Sequence, residues 1–399
     1  MREKVMYTFL KSTLLISAFV SAQLLAVNAQ EVNQQQRPRR VNGNSTKLTT
    51  PNSTTGKTEE VADGDVVRVD TQLVSVPAVV TTTSGRPLAG LKTENFKLFE
   101  NGQLQNIADF ATTQTPFEIA LLLDTSGSTR NDIELIREAA LSFIDALRDG
   151  DRVAIIGFGN GRQGPRPEVL SRLTTDRKQL RNAIEDLGNT SGTPFYDGLE
   201  RVADEIFAEP ARAEVLGRRA LVALTDGVDS TGKAEFETAR AKLLRTGVAT
   251  YFIQVNTEDY VENALLKPCG EGVVLSTKQL RRHSRLFQPR TRMDDVSDFC
   301  EMGSFERMQV SRDLYNLARR EMNELAKASG GRNFVAATLR DAREAFGRVA
   351  SEIGTQYSLG YYPTNKARDG KFRTIKVEVQ GVTDKAQVRA REGYYAPKG

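Results

Sequence analysis

The chain has 399 residues, with 55 Lys and Arg against 51 Asp and Glu and a single histidine, His283. That length leaves room for two domains with a full core in each. The net charge of +4 gives no global field for nucleic acid or an anionic membrane, and one histidine argues against zinc centres, Ser-His-Asp triads and most imidazole acid–base chemistry.

Residues 1–29 read as an export signal. Arg2, Lys4 and Lys11 precede an apolar stretch from Leu14 to Val27, and Val27-Asn28-Ala29 supplies small residues at a cleavage site before Gln30. Ser17, Ser21 and Gln23 interrupt the stretch, which is short for a membrane span of ~20 residues; an uncleaved anchor is the competing reading. No cysteine follows it, which argues against a lipid anchor. The expectation is a secreted or periplasmic protein with no stable membrane insertion after cleavage. Export makes Cys269 and Cys300 candidates for a disulfide, with two unpaired thiols as the alternative. A bond closing that loop would stabilise the fold by roughly 3–4 kcal/mol in the chain-entropy model.

Residues 30–65, rich in Asn, Gln, Ser, Thr and Pro, bury too little apolar surface to fold and read as a disordered linker. From 66 to 115 the period becomes two. Val67, Val69, Thr71 and Leu73 alternate with polar residues, Val74, Val76, Ala78 and Val80 form a second run, and Ser84-Gly85-Arg86-Pro87 makes a turn. Phe96 to Phe110 reads as a hairpin around Glu100-Asn101-Gly102. About four strands are too few to stand alone.

Residues 116–355 alternate strands and helices, the mark of a doubly wound, mostly parallel α/β sheet of Rossmann-like type. The apolar run Ile119 to Leu123 is the strand buried on both faces. Helices are predicted at 132–148, 176–187, from Pro194 to Phe207, 233–245, 313–329 (capped by Gly330-Gly331) and 339–353. Further strands fall at 152–158, 168–173 (a short edge), 220–225, 249–255 and 333–335. Gly159, Gly161 and Gly164 satisfy G-x-G-x-x-G, but Pro165 and Pro167 follow where a dinucleotide site needs a helix. This reads as a glycine-rich loop.

An insertion at 256–311 contains both cysteines and, by right-handed alternation, leaves the sheet end that carries Asp124. Its basic block Lys278, Arg281, Arg282, Arg285, Arg290 and Arg292 precedes Asp294, Asp295, Asp298 and Glu301. Such a run is ordinarily solvated surface; its position also suits contact with a partner or gating. Residues 356–399 return to period two, with strands from Tyr357, at Phe372–Val379 and at Val388–Tyr395. With the 66–115 strands these make about seven, enough for an immunoglobulin-like β-sandwich interrupted by the α/β unit; two separate β-layers flanking that unit are the alternative.

Chemistry concentrates where the buried strand stops. Asp124, Ser126 and Ser128 place a carboxylate and two hydroxyls on a tight turn at the carboxyl end of a strand, where ligands of α/β sheets sit. Thr193, before a helix, and Asp226, at a strand end, should converge on the same edge. This is a hard, oxygen-only donor set suited to a small divalent cation. Taken alone, D-x-S-x-S is also what a capped turn looks like.

The set Asp124-Thr-Ser-Gly-Ser, Thr193 and Asp226 resembles the metal-ion-dependent adhesion site, or MIDAS, of von Willebrand factor type A (VWA) domains. The chain from about Val66 onward is similar to the secreted "VWFA-related, acidobacterial-type" proteins, through Phe96-Lys-Leu-Phe-Glu-Asn-Gly, Gln356-Tyr-Ser-Leu-Gly-Tyr-Tyr-Pro and Arg391-Glu-Gly-Tyr-Tyr-Ala. Asn95 replaces an acidic residue of the family pattern, and 256–311 departs from it. The resemblance implies a magnesium ion (or manganese or calcium) held by Asp124, Ser126, Ser128, Thr193 and Asp226, with a protein partner's carboxylate completing the shell. It implies a non-enzymatic adhesion module. A phosphoryl-transfer enzyme using Asp124 is the second reading, although Ser126 stands where a phospho-aspartyl hydrolase offers a second aspartate. A structural protein with a vestigial site is the third.

Overall fold

The computed structural model describes residues 73–126, 133–162, 164–268, 275–288, 299–382 and 385–398. The expected signal and linker, Ser128, Cys269, Arg290, Arg292, Asp294, Asp295 and Asp298 lie outside the described residues. Strands β1 (Val74–Thr82), β2 (Phe96–Glu100), β3 (Gln103–Gln105) and β4 (Ile107–Ala111) come first. The α/β unit follows as β5 (Glu118–Leu123), α1 (Ile133–Ala146), β6 (Arg152–Gly161), β7 (Gly164–Thr174), α2 (Arg177–Glu185), α3 (Phe195–Arg201), β8 (Arg219–Thr225), α4 (Phe236–Thr246), β9 (Ala249–Val255), α5 (Glu258–Leu265), α6 (Thr277–Phe287), α7 (Ser304–Ser329), β10 (Arg332–Ala336) and α8 (Ala342–Gly354). The chain closes with β11 (Tyr357–Tyr361), β12 (Phe372–Val379), β13 (Ala386–Ala390) and β14 (Gly393–Tyr395).

Six strands form the central sheet in the order β10-β9-β8-β5-β6-β7, parallel except for β7. Every residue of β5 is buried, because its side chains alternate into two cores. Ile119, Leu121 and Leu123 pack with α1, α2 and α8, while Ala120 and Leu122 pack with α3, α4 and α7. Each such leucine or isoleucine stabilises the fold by roughly 1.5–3 kcal/mol. Strands β5 and β8 pair in register, Leu123 opposite Leu224, so both end at one level. That level carries the site.

The strand expected at 168–173 is longer. It runs from Gly164 to Thr174 and pairs with β6, Gly161 opposite Gly164, so the glycine triplet lies in a hairpin rather than a loop. A Cβ on Gly159 would lie 2.4 Å from the Glu168 side chain and one on Gly161 2.9 Å from Arg166. The glycines make room for cross-strand neighbours, and Gly164 opens a strand, not a helix. The helix expected from Asp313 starts nine residues earlier, at Ser304. Its first turns have a core of their own, in which Val310, Leu314 and Tyr315 pack with Val261, Leu265, Leu275, Leu280 and Phe299.

Two four-stranded antiparallel sheets, β13-β1-β11-β4 and β14-β12-β2-β3, each combine strands from before and after the α/β unit. Val76, Ala78 and Leu359 of one share a cluster with Phe96, Leu98, Ile375 and Tyr394 of the other. The expected strand Val388–Tyr395 is instead two strands, one in each sheet. Between them Arg391 is buried and donates to the carbonyls of Gly393 (2.9 Å), Leu244 (2.9 Å) and Ser75 (3.2 Å), which bends the chain from one sheet to the other. Glu100, Tyr361 and Tyr394, one from each sequence segment singled out above, meet in a buried cluster. Glu100 accepts from the Tyr361 hydroxyl at 2.6 Å, the Tyr394 hydroxyl at 2.8 Å and Arg373 at 3.3 Å.

The chain crosses between these sheets and the α/β unit twice, and two arginines hold both crossings. Arg148 donates to the carbonyls of Thr113 and Gly354, and Arg218 to those of Thr115 and Ile353. Arg218, which also stacks on Phe117 at 4.2 Å, is pushed down to about 10 by burial. Among the described residues no helix is long and apolar enough to cross a membrane.

Candidate metal centre

Asp124 and Thr225 leave adjacent parallel strands at the same level, and the Asp124 N–H donates to the Leu224 carbonyl at 3.0 Å. Its carboxylate accepts from the Ser126 N–H at 3.0 Å and from the Thr225 hydroxyl at 2.7 Å. Thr225 in turn accepts from the Gly227 N–H at 2.9 Å, which shapes the turn holding Asp226. Gly227 has φ +79, which favours glycine, and a Cβ there would also push aside the Met322 methyl of α7, 2.6 Å away. The Asp226 carboxylate accepts from the Val228 N–H at 2.9 Å and the Thr257 hydroxyl at 2.7 Å; Thr257 Oγ1 lies 2.7 Å from the Tyr315 hydroxyl.

Asp124 and Asp226 are 1% and 5% exposed. Burial, then repulsion from Asp226, pushes the Asp124 carboxyl up to about 7, against hydrogen bonds from Thr225 and Ser126 that favour its ionised form. A buried carboxylate whose proton affinity is raised by a second carboxylate beside it is an arrangement a divalent cation relieves.

The Thr193 loop is knitted to both neighbours. Thr190 N–H donates to the Thr125 carbonyl at 3.1 Å, and the Thr125 hydroxyl to the Gly188 carbonyl at 2.6 Å. On the other side, Thr193 N–H donates to Ser230 Oγ at 2.8 Å, and the Thr193 carbonyl accepts from Ser230 and Thr231 at 3.0 and 3.3 Å. Gly192 permits this approach, since a Cβ there would lie 2.6 Å from Thr231. Three loops distant in sequence therefore share one sheet edge, and Asp124, Ser126, Thr193 and Asp226 are all buried there. Ser128 lies outside the described residues.

Among the described residues no three His, Cys, Asp or Glu side chains gather around one point, so the donors here are two carboxylates and hydroxyls. That chemistry fits a hard cation such as magnesium, which prefers oxygen and keeps several waters. His283 is not part of it; it is buried in α6, with Asp313 at 2.8 Å.

The insertion contains residues whose role the charge pattern concealed. Arg281 and Arg285 are exposed, but Lys278 and Arg282, four apart and so on one helix face, turn inward. Lys278 pairs with Asp229 at 2.5 Å, and Arg282 with Glu321 at 2.5 Å and with the Tyr196 hydroxyl. Asp229 is buried and its carboxyl is pushed up to about 6 by burial, held from rising further by Lys278. The i, i+4 spacing of two cations was the signal available in the sequence; the buried anions that receive them were not adjacent to it.

The fold and this edge define the class: an α/β domain with a mostly parallel sheet and an oxygen-rich loop cluster at the carboxyl ends of its strands. The family model for the von Willebrand factor type A domain matches residues 118–272, and that stretch of the chain carries such a domain. The chain is 28% identical over 157 residues to uncharacterized protein sll0103 of Synechocystis sp.; the match covers 38% of this chain and 33% of that relative, about a third of its length. Among solved structures, a von Willebrand factor type A protein from Catenulispora acidiphila superposes with a TM-score of 0.38 at 12% identity, over 82% of this chain and 75% of that one. Proximal thread matrix protein 1 from the mussel byssus, in a form whose MIDAS motif is occupied by zinc, gives a TM-score of 0.36 at 14% identity, over 59% of this chain and 47% of that one. Superpositions this loose carry nothing further to this chain.

Proposed function

We propose that the chain is an exported, non-enzymatic binding module that docks an acidic group of a protein partner through a divalent cation. Asp124, Ser126, Ser128, Thr193 and Asp226 are the residues that hold the ion. The observation that carries this reading is the meeting of two buried carboxylates and their hydroxyl neighbours at the ends of the paired strands β5 and β8. Hydroxyl and main-chain donors fix the orientation of each carboxylate at the sheet edge. A bound magnesium ion supplies a Lewis-acidic position for an incoming carboxylate oxygen. Nothing in this reading requires a bond to break, and the one histidine is committed to Asp313. The likeness to secreted VWFA-related proteins and the N-terminal signal pattern support export, and export supports a Cys269–Cys300 disulfide.

Calorimetric titration of the full chain with Mg2+ and Mn2+ tests the reading. One ion per chain is expected, with Asp226→Ala weakening uptake at least tenfold and EDTA abolishing capture of an acidic protein partner. Metal-dependent turnover of a phosphoester would favour the enzymatic reading, and partner capture that ignores EDTA would favour a vestigial site.

A further inference from the structure

The segment running from Asp226 to Ala234 hangs between β8 and α4 and contains Gly227 and Gly232, both in the left-handed region at φ +79 and +87. Two such glycines leave the loop little stiffness of its own. One flank is held by Thr193 and Ser230, as described. The other is held by α6. The Lys278 ammonium donates to the Thr231 carbonyl at 2.9 Å and the Ala234 carbonyl at 3.1 Å, and forms an ion pair with Asp229 Oδ2 at 2.5 Å. Asp229 spends its other oxygen on the Tyr196 N–H at 3.1 Å, in the first turn of α3, three residues past Thr193. Ser276, the N-cap of α6, donates its hydroxyl to the Ser230 carbonyl at 2.6 Å.

Helix α6 is itself fixed. Arg282, four residues on from Lys278, pairs with Glu321 of α7 and stacks over the Tyr196 ring at 4.7 Å. A half-buried ammonium held by one carboxylate and two carbonyls at once ties the positions of all three acceptors together.

We propose that Lys278 is a positioning residue for the cation site: through Asp229 and the carbonyls of Thr231 and Ala234 it fixes the Asp226 loop against the Thr193 loop, so that cation affinity depends on a helix that offers the ion no atom. This rests on the reading of Asp124, Ser126, Thr193 and Asp226 as cation ligands. It assigns α6 a role in setting the strength of the site, by the same logic through which partners behind metal ligands tune affinity by 10- to 100-fold elsewhere.

The test is Mn2+ affinity of the folded full chain, read by electron paramagnetic resonance at low temperature, with circular dichroism confirming that each variant is folded. Lys278→Met is expected to weaken Mn2+ binding about tenfold or more, and Lys278→Arg, which keeps the charge and several donors, to recover most of it. Asp229→Asn leaves the two carbonyl bonds available and serves if Lys278→Met does not fold; a weakening in the same direction is expected. A folded Lys278→Met, or in its absence Asp229→Asn, that binds Mn2+ within twofold of the native chain overturns the positioning role and leaves the site standing. Native protein that takes up no Mn2+ overturns the site itself and this role with it.

Discussion

At the scale of single residues, Asp124 decides how the site responds to protons. Its carboxyl loses a proton near 3.8 when unfolded and near 7 in the metal-free fold. Between those values the folded state binds the extra proton, so this group's contribution to stability is fully present below about pH 4 and declines as pH rises towards 7. The loss is at most on the order of 4 kcal/mol. Thermal melts in EDTA should therefore fall across that interval more steeply for the native chain than for Asp124→Asn. Saturating Mg2+ should reverse the trend, because the ion binds the ionised carboxylates and competes with the proton. Parallel pH profiles for the native chain and Asp124→Asn would show that Asp124 is not the group responsible.

At the scale of elements, the junction of α7 and β10, at the sheet edge opposite the site, is the tightest glycine contact among the described residues. Gly330 caps α7 at φ +85, and a Cβ on the next residue, Gly331, would sit 1.9 Å from the Thr250 carbonyl of β9. Backbone cannot yield as a flexible side chain does, so Gly331→Ala should destabilise by about 3 kcal/mol, at the upper end of overpacking costs. Urea denaturation followed by circular dichroism measures it, and an unchanged midpoint would contradict the packing described here. The same region shows what periodicity conveys and what it omits. The predicted helix end at Ser329 is the observed one, because a glycine pair marks a C-cap locally. Its start lies nine residues before the predicted one, and Val310, ahead of the predicted start, packs against α5 and α6, elements distant in sequence.

For the whole molecule, the two antiparallel sheets are each assembled from both ends of the chain, and Arg148 and Arg218 hold both crossings to the α/β unit. Each sheet therefore needs both ends of the chain. Loss of Glu100 should thus be felt globally. Glu100→Ala leaves Arg373 without its carboxylate, and the Tyr361 and Tyr394 hydroxyls without their acceptor, in a buried cluster. Removing one partner of such a group costs about 3–5 kcal/mol. A single unfolding transition shifted to lower urea is expected by circular dichroism and tyrosine fluorescence. Two separated transitions would show instead that the sheets and the α/β unit unfold independently.

The amino-acid sequence alone determined the alternation of strand and helix from 116 to 355 outside the 256–311 insertion, the buried strand that ends at Asp124, and the chemical character of the oxygen donors. Each of these is a local pattern, written in residue period or in neighbours a few positions apart. Only the tertiary structure decided that β8 lies beside β5 in register and so sets Asp226 next to Asp124. Only it showed that Lys278 and Arg282 turn into the protein rather than to solvent, and that the chain near Arg391 bends from one sheet to another. Strand order and the burial of a charge depend on partners far along the chain, and neither period nor composition carries that information.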